Sequence, residues 1–382
     1  MASPTKNPFK FGDPVEGDYY LPRPELSRTV KQFIENRIHV VLIGPRRFGK
    51  TSFVLDLLKQ LEGKENQTCL YIDIFNVTSH RDFLHQLLRA LRKKKSWGRK
   101  LKEWIESIPR LRPKFAWEAD PNTNEISFSL TPELNSEKDV KEVIQDTLGA
   151  LGEMNGKIIV AIDEFQKVAE LEDEGWLEAT LRTQMQQTRN TSFLFTGSRK
   201  GIINDMINSP SRPFYRSCQP IEFPSFGSEF TDWVIQRFGV VGVNCERSAI
   251  ESLRQLVQET PNYVQMACFH LVAQGIIKVD HQNIHAVLRT IVRQNSYAYQ
   301  TLLNSLTAIQ QRALRLAAKE NEQIFSKELL QQYEIPSGPT LASVIKSLKQ
   351  KQILNEGTVK GKVFFDDPLF AIWLRTEFAA EE

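Results

Sequence analysis

The stretch that decides the fold is Gly44-Pro45-Arg46-Arg47-Phe48-Gly49-Lys50-Thr51, a complete G-x-x-x-x-G-K-[ST] pattern. The apolar run 39–43 precedes it, and residues 52–58 follow it with the apolar spacing of a helix. A strand, a glycine loop and a helix in this order turn backbone N–H groups toward phosphate oxygens. A chance glycine turn before a helix is the alternative, but the motif and its context agree. The sequence therefore predicts a phosphate-binding loop.

The residues of this loop have distinct expected roles. We expect Lys50 to contact the β- and γ-phosphates of a nucleotide and to act in catalysis, and we expect the Thr51 hydroxyl to ligate Mg²⁺. The two glycines permit the tight path of the backbone and its close approach to phosphate. The loop residues predicted to contact the nucleotide are Gly44, Pro45, Arg46, Arg47, Phe48, Gly49, Lys50, Thr51 and Ser52.

A second motif lies at residues 157–166, where a short apolar run ends in Asp163 and Glu164. The run is typical of a buried parallel strand, and ligands bind at the carboxyl ends of such strands. Asp163 is therefore a candidate Mg²⁺ ligand, and Glu164 is a candidate general base that activates the attacking water. The alternative is that the two acids begin the next helix, a position that acids favour.

The composition is that of an ordinary globular protein. The chain has 382 residues, of which 41% are apolar and 25% are charged, enough for two or three domains. Its 49 Lys and Arg face 46 Asp and Glu, so the net charge of +3 says little about partners. The four cysteines are scattered and form no zinc or disulfide pattern, which fits a reducing compartment. Because every apolar run is far shorter than a membrane span, we expect a cytoplasmic protein with no membrane partner.

The order of the predicted elements indicates an α/β fold, a doubly wound parallel P-loop NTPase sheet with a helical lid and a C-terminal winged-helix domain. Alternating polar and apolar residues in 112–118 and 125–131 predict a hairpin inserted into the core. Residues 226–300 have a helical pattern throughout. The C-terminal unit is predicted to contain three helices and a terminal hairpin, with a turn at 336–339. The predicted divisions are an N-terminal nucleotide-pocket arm at 1–38, an ATPase core at 39–224 with an insertion at about 89–135, a lid at 225–300 and a winged helix at 301–382.

With these motifs placed, the chain resembles the archaeal-type ATPases of the STAND and AAA+ branch of P-loop proteins, over almost its whole length. The resemblance is carried by the phosphate loop and by five further segments. These are the entry segment Asn7-Pro8-Phe9 with Phe11-Gly12-Asp13-Pro14-Val15, then Leu21-Pro22-Arg23-Pro24-Glu25-Leu26, Asp163-Glu164-Phe165-Gln166, Thr196-Gly197-Ser198 and the closing Asp366-Asp367-Pro368-Leu369-Phe370-Ala371-Ile372-Trp373-Leu374-Arg375. The resemblance implies ATP binding and hydrolysis with Mg²⁺, and a conformational switch.

The resemblance also implies roles for three residues outside the two motifs. Arg23 would lie on the adenine side of the pocket, Arg216 would stabilise transition-state charge, and Pro261 would belong to the nucleotide-sensing lid. The chain departs from the family at two of these places. The family has Tyr-Gly-Arg where this chain has Tyr215-Arg216, and Gly-x-Pro where it has Glu259-Thr260-Pro261.

Two candidate sites remain open to more than one interpretation. Ser198 follows a predicted strand, where its hydroxyl could hold the attacking water or could cap the helix that starts at Arg199. Residues 89–114 are densely basic and contain two tryptophans. This pattern is typical of nucleic-acid binding, but it also fits a solvated helix face or a docking surface for the acidic stretch 118–142.

Three functions compete on these observations. The first is an ATP-hydrolysing switch that controls a protein partner or a nucleic-acid transaction, with assembly into a homo-oligomer as an option. The second is an ATP-dependent DNA-binding protein of the initiator or transposition-regulator type, with double-stranded DNA held by residues 89–114 and the winged helix. The third is a small-molecule kinase, which Asp163-Glu164 and the C-terminal unit disfavour. The basic stretch 89–114 favours the second function, whereas the recognition helix predicted at 340–350 offers few cations, which favours the first.

Overall fold

The computed structural model describes residues 6–93, 115–119, 126–130, 136–171, 174–320, 324–356 and 363–378. The chain forms two compact units. The first unit comprises Met1–Leu21, Pro45–Gly49 and Pro224–Glu382, and the second comprises Pro22–Gly44 and Lys50–Phe223. Each has its own hydrophobic core.

The second unit is built on a five-stranded parallel sheet. Its strands are β1 (Val40–Ile43), β2 (Gln67–Asp73), β5 (Lys157–Asp163), β6 (Thr191–Gly197) and β7 (Gln219–Glu222). They lie in the order β2-β5-β6-β1-β7 across the sheet. Its helices are α1 (Pro24–Glu35), α2 (Lys50–Leu61), α3 (His80–Arg92), α4 (Glu137–Glu153), α5 (Trp176–Gln187) and α6 (Lys200–Asn208). The predicted parallel P-loop sheet is confirmed.

The sheet brings three functional segments to one edge. Strand β6 is buried along its length and β5 is buried after its first residue, as expected of central parallel strands. Asp163 ends β5 opposite Asp73, and Gly197 ends β6 opposite Ile43 of β1. Because the strands are parallel, the phosphate loop after β1, the acids after β5 and Ser198 after β6 all leave the sheet at its carboxyl edge.

The predicted hairpin is present as the antiparallel strands β3 (Phe115–Ala119) and β4 (Ile126–Leu130). Its turn and most of the basic stretch 89–114 lie outside the described residues. Within that stretch, residues 89–92 form the end of α3, and Lys93 is its C-cap.

The first unit is mainly helical after residue 224. Its helices before residue 305 are α7 (Ser228–Val240), α8 (Arg247–Leu256), α9 (Pro261–Ala273), α10 (His281–Gln294) and α11 (Ser296–Asn304). The prediction that this region is helical throughout is wrong, because β8 (Asn244–Cys245) and β9 (Lys278–Val279) pair in parallel. Two-residue strands carry too little alternation for the sequence to reveal them.

The C-terminal part has the predicted three helices and hairpin, followed by one more helix. The elements are α12 (Ala308–Lys319), α13 (Lys327–Gln332), α14 (Gly338–Gln350), β10 (Leu354–Glu356), β11 (Val363–Phe365) and α15 (Pro368–Glu377). The hairpin was predicted to be terminal, but α15 follows it, capped by Asp367. The predicted turn at 336–339 is also wrong in part, because Ser337 caps α14 and Pro339 occupies its first turn, where the missing N–H costs nothing.

Candidate active site

Asp163 is the polar centre of the second unit. Its carboxylate is 4% exposed and accepts hydrogen bonds from three hydroxyls, those of Thr51 (2.6 Å), Tyr71 (2.9 Å) and Thr196. The backbone N–H of Glu164 donates to the same carboxylate at 3.0 Å. The two predicted Mg²⁺ ligands, Thr51 and Asp163, are therefore in direct contact, and a hydroxyl beside a carboxylate fits the oxygen preference of that ion.

Tyr71 and Thr196 were not predicted to belong to this site. Burial, together with the negative charge of Asp163, raises the pKa of Tyr71, so its phenol stays protonated and donates at neutral pH. Tyr71 is separated from Asp163 by 92 positions, and it is an ordinary strand residue in the sequence. Only the pairing of β2 with β5 brings the phenol to the acid.

Lys50 begins α2, and its side chain bonds to the residue that opens the phosphate-loop motif. Its side chain is 5% exposed, and Nζ donates to the Gly44 carbonyl at 2.8 Å. Gly44 has no room for a side chain, because a Cβ there would lie 2.7 Å from Cβ of Phe223. Gly49 has a φ of +90°, a conformation that glycine adopts without strain. The backbone thus takes the path that the motif predicts, with the lysine directed back along it.

Glu164 is held in an unusual backbone conformation beside Ser198. It has a φ of +60° and precedes a short 3₁₀ segment, Phe165–Glu170, without capping it through its side chain. Ser198 Oγ donates to Glu164 Oε2 at 3.0 Å. Ser198 does not cap α6, because Arg199 occupies the N-cap position of that helix. Glu164 does stand at the N-cap position of the 3₁₀ segment, as the alternative interpretation expected, but its side chain makes no capping hydrogen bond. A non-glycine residue at positive φ next to a metal-ligand candidate is typical of functional sites.

Arg23 lies near the end of the same sheet. It is buried, and its guanidinium stacks 4.5 Å from the ring centre of Phe223, which in turn contacts Phe53 edge-on. Ser52, the last predicted loop residue, is buried in the first turn of α2.

Arg216 is exposed on a firmly held loop. Its φ is +51°, and its N–H donates to the Ile207 carbonyl at 2.9 Å. The loop is held by the buried carboxylate of Glu178, which pairs with Arg212 at 2.9 Å and accepts the Phe214 N–H at 3.3 Å. Arg216 therefore presents its charge to solvent from a fixed backbone.

In the first unit, Arg47 of the phosphate loop contacts a residue of α9. Arg47 donates to the Tyr263 hydroxyl, and its guanidinium lies 4.9 Å from the centre of that ring. Tyr263 is on α9, the helix that Pro261 begins as its first residue. Pro261 therefore positions the helix that contacts Arg47. Phe48 of the same loop is buried.

Two acids, Asp366 and Asp367, lie directly before α15 and bind side chains of the same unit. Arg46 lies 4.0 Å from Asp366, whose carboxylate also accepts from Asn355 at 2.7 Å. Asp367 accepts from the Tyr299 hydroxyl at 2.9 Å and caps α15 through the Leu369 N–H. Burial and the charge of Asp367 raise the pKa of Tyr263 and of Tyr299, so both phenols remain neutral donors.

Within the described residues, no helix is long and apolar enough to cross a membrane, and no group of three or more His, Cys, Asp or Glu side chains is arranged to hold a metal ion.

The sheet, the phosphate loop and the Asp163 site define the class of P-loop nucleotide-binding ATPases. Residues 34–203 match the family model described as an AAA domain, and residues 297–376 match the model described as a probable winged helix domain. The chain is thus an ATPase with an AAA domain and a C-terminal winged helix domain. No curated protein matches it significantly.

Three solved structures share its fold over nearly the whole length. The Walker-type ATPase PABY2304 of Pyrococcus abyssi is 20% identical, with a TM-score of 0.64, covering 94% of this chain and 97% of that one. The ORC2 protein of Aeropyrum pernix, in ADPNP and ADP complexes, is 15% identical, with a TM-score of 0.55 and coverages of 96% and 97%. The ORC1 protein of the same organism, in complex with DNA, is 14% identical, with a TM-score of 0.51 and coverages of 95% and 96%.

Proposed function

We propose that this ATPase is a molecular switch of the STAND type, in which ATP binding and hydrolysis change the contacts of the winged helix and so control a partner protein or a nucleic-acid transaction. The observation that carries the proposal is the contact of Arg46 with Asp366 and of Arg47 with Tyr263. These two contacts join residues at unspecified positions of the G-x-x-x-x-G-K-[ST] motif to residues that are more than two hundred positions away in the chain.

The proposed chemistry assigns one role to each group of the site. Lys50 holds the phosphates of ATP, and Thr51 and Asp163 hold Mg²⁺, which would neutralise phosphate charge when bound. Glu164 accepts the proton of the attacking water, and Ser198 orients that base. Tyr71 and Thr196 fix the Asp163 carboxylate through their hydroxyls.

Arg23, Arg216 and Pro261 have roles that rest on resemblance and position together. Arg23 would contact the base, and Pro261 would set the helix that senses the nucleotide state. Arg216 is exposed, so we propose that it completes the site of a neighbouring copy in a cytoplasmic homo-oligomer.

The contact between Arg46 and Asp366 is suited to a reversible switch. Both side chains are partly exposed, and an ion pair of this kind contributes only about 0.2–1 kcal/mol. Arg46 is joined to Lys50 through Arg47, Phe48 and Gly49. A change in the loop on nucleotide binding can therefore break the pair at small cost.

The test is the substitution Asp366→Asn, which removes the charge and keeps the shape. We expect the basal rate of nucleotide exchange to rise by up to about fivefold, because an exposed ion pair is worth at most about 1 kcal/mol. Release of a fluorescent ADP analogue, followed by stopped flow, measures this rate.

Asp232→Asn is the matched control for Asp366→Asn. It removes a carboxylate that pairs with Arg247 on the surface of the same unit. We expect this control to exchange nucleotide at the wild-type rate. Equal rates in Asp366→Asn and wild type would contradict a switch that acts through this contact.

DNA binding by the winged helix is the second candidate function. Lys346 and Lys351, in and just after α14, are exposed, and the similar ORC1 structure is a complex with DNA. The basic residues 89–114 would add phosphate contacts. A protein partner for the winged helix is the competing proposal, because two exposed lysines are few for a DNA-reading helix.

If duplex DNA is bound, its affinity should fall with salt with a log–log slope of about −0.9 per phosphate neutralised. Reversing Lys346 and Lys351 to Glu should flatten that slope if the winged helix contacts DNA. Reversing Lys93, Lys94 and Lys95 should do so if the basic stretch contacts it. Fluorescence anisotropy across a salt series measures both. Absence of binding at moderate salt would favour the protein partner.

A further inference from the structure

Gln166 places a buried amide against the candidate base. Its side chain is 1% exposed, and Nε2 donates to Glu164 Oε2. The same nitrogen lies 3.4 Å from the Ser198 hydroxyl, and Oε1 accepts the Ser198 N–H at 3.3 Å. Both ends of the amide are thus bonded, as a buried polar group requires.

Gly197 makes room for this amide. A Cβ at Gly197 would overlap Cδ1 of Ile203 and would also lie 2.5 Å from Gln166 Oε1, closer than Cβ atoms approach other atoms in real structures. The end of β6 is therefore shaped so that the glutamine can reach the Ser198 backbone. The amide has a defined place between two strand ends and does not merely fill the core.

We propose that Gln166 is a positioning residue that fixes the orientation of the Glu164 carboxylate for attack by water on ATP. The amide of Gln166 and the hydroxyl of Ser198 both donate to Oε2, so two donors set the plane of the carboxylate. The direction of Oε1 is then fixed as well. A base must point at the proton it abstracts, and a small misplacement costs much of its effect. This inference rests on the proposed role of Glu164.

A purely structural role for Gln166 is already filled by other contacts. Glu170 pairs with Arg199 and, at 2.9 Å, with Lys167. The pair with Arg199 joins the 3₁₀ segment 165–170 to the residue that precedes α6, and the pair with Lys167 lies within the segment. The junction therefore has a tie that does not involve Gln166, and removal of its donor should leave the local fold in place.

Two variants of Gln166 separate positioning from packing. Gln166→Met keeps the length of the side chain and loses the amide. Gln166→Glu keeps an acceptor for the Ser198 N–H but replaces the donor to Glu164 with a like charge. We expect kcat for ATP hydrolysis to fall by about 10- to 100-fold in both variants. We expect KM and the Kd for ATP to stay within about twofold, since Gln166 holds no phosphate.

Gln184→Leu is the control, because Gln184 is also a buried glutamine of the second unit and lies beside Gly149. It should hydrolyse ATP at the wild-type rate. If Gln166→Glu retained the wild-type kcat, or if Gln166→Met changed KM and not kcat, Gln166 would not be a positioning residue.

The double variant Gln166→Met with Glu164→Gln distinguishes a failure of this inference from a failure of the proposed base. If Gln166 acts through Glu164, the double variant is no slower than Glu164→Gln alone. Additive losses would overturn the inference while leaving Glu164 as the base. A Glu164→Gln variant with the wild-type kcat would instead overturn the proposed base.

Discussion

Lys50→Ala is expected to weaken ATP binding by at least about 10- to 100-fold, since a hydrogen bond to a charged group is worth about 1.5–3 kcal/mol. The lysine is almost fully buried at the start of α2, and its ammonium bonds to the Gly44 carbonyl. Alanine at this position leaves the backbone of the loop intact and removes the ammonium group that is expected to contact the phosphates. Anisotropy of a fluorescent ATP analogue, titrated with protein, measures the affinity.

Lys59→Ala is the control for this prediction. Lys59 is an exposed lysine in the last turn of the same helix. Lys59→Ala changes the net charge by the same amount as Lys50→Ala. It should leave the affinity for ATP within about twofold, because Lys59 lies at the far end of the helix, where its charge contributes about 0.3–1 kcal/mol to helix stability and binds no phosphate. Wild-type affinity in Lys50→Ala would exclude the phosphate loop as the nucleotide site.

Glu164→Gln is expected to bind ATP–Mg²⁺ normally and to hydrolyse it about 10²- to 10⁴-fold more slowly, the usual contribution of a positioned base. Glutamine keeps the shape of the side chain and its contact with Ser198 while it loses the proton acceptor. The measurement is phosphate release at saturating ATP, together with binding of the fluorescent analogue.

Glu153→Gln provides the matched control, because Glu153 is an exposed glutamate at the end of α4 in the same unit. Its turnover should stay close to wild type. Mixing Glu164→Gln with Arg216→Ala subunits extends the experiment. If Arg216 completes a neighbouring copy, the mixture regains some turnover that neither variant has alone. Undiminished turnover in Glu164→Gln would place the base elsewhere.

The sequence revealed the parts of the site that are local in the chain. The loop, its leading strand and its following helix are contiguous, so one stretch of sequence carries the whole pattern, and α2 (Lys50–Leu61) contains residues 52–58, which were predicted to be helical. The apolar run before Asp163 likewise predicted a buried strand with its acids at the carboxyl end. Parallel strands then required the phosphate loop and the acids to share one edge.

The tertiary structure alone decided which distant side chains meet at these local motifs. Tyr71 and Thr196 reach Asp163 only through strand pairing, and Arg46 reaches Asp366 across more than three hundred residues of sequence. Gln166 was part of a quoted motif, but its bond to Glu164 depends on the turn that begins at a positive φ and on the missing Cβ of Gly197. Such contacts depend on packing geometry, and a residue's type and spacing do not determine which distant partner it will meet.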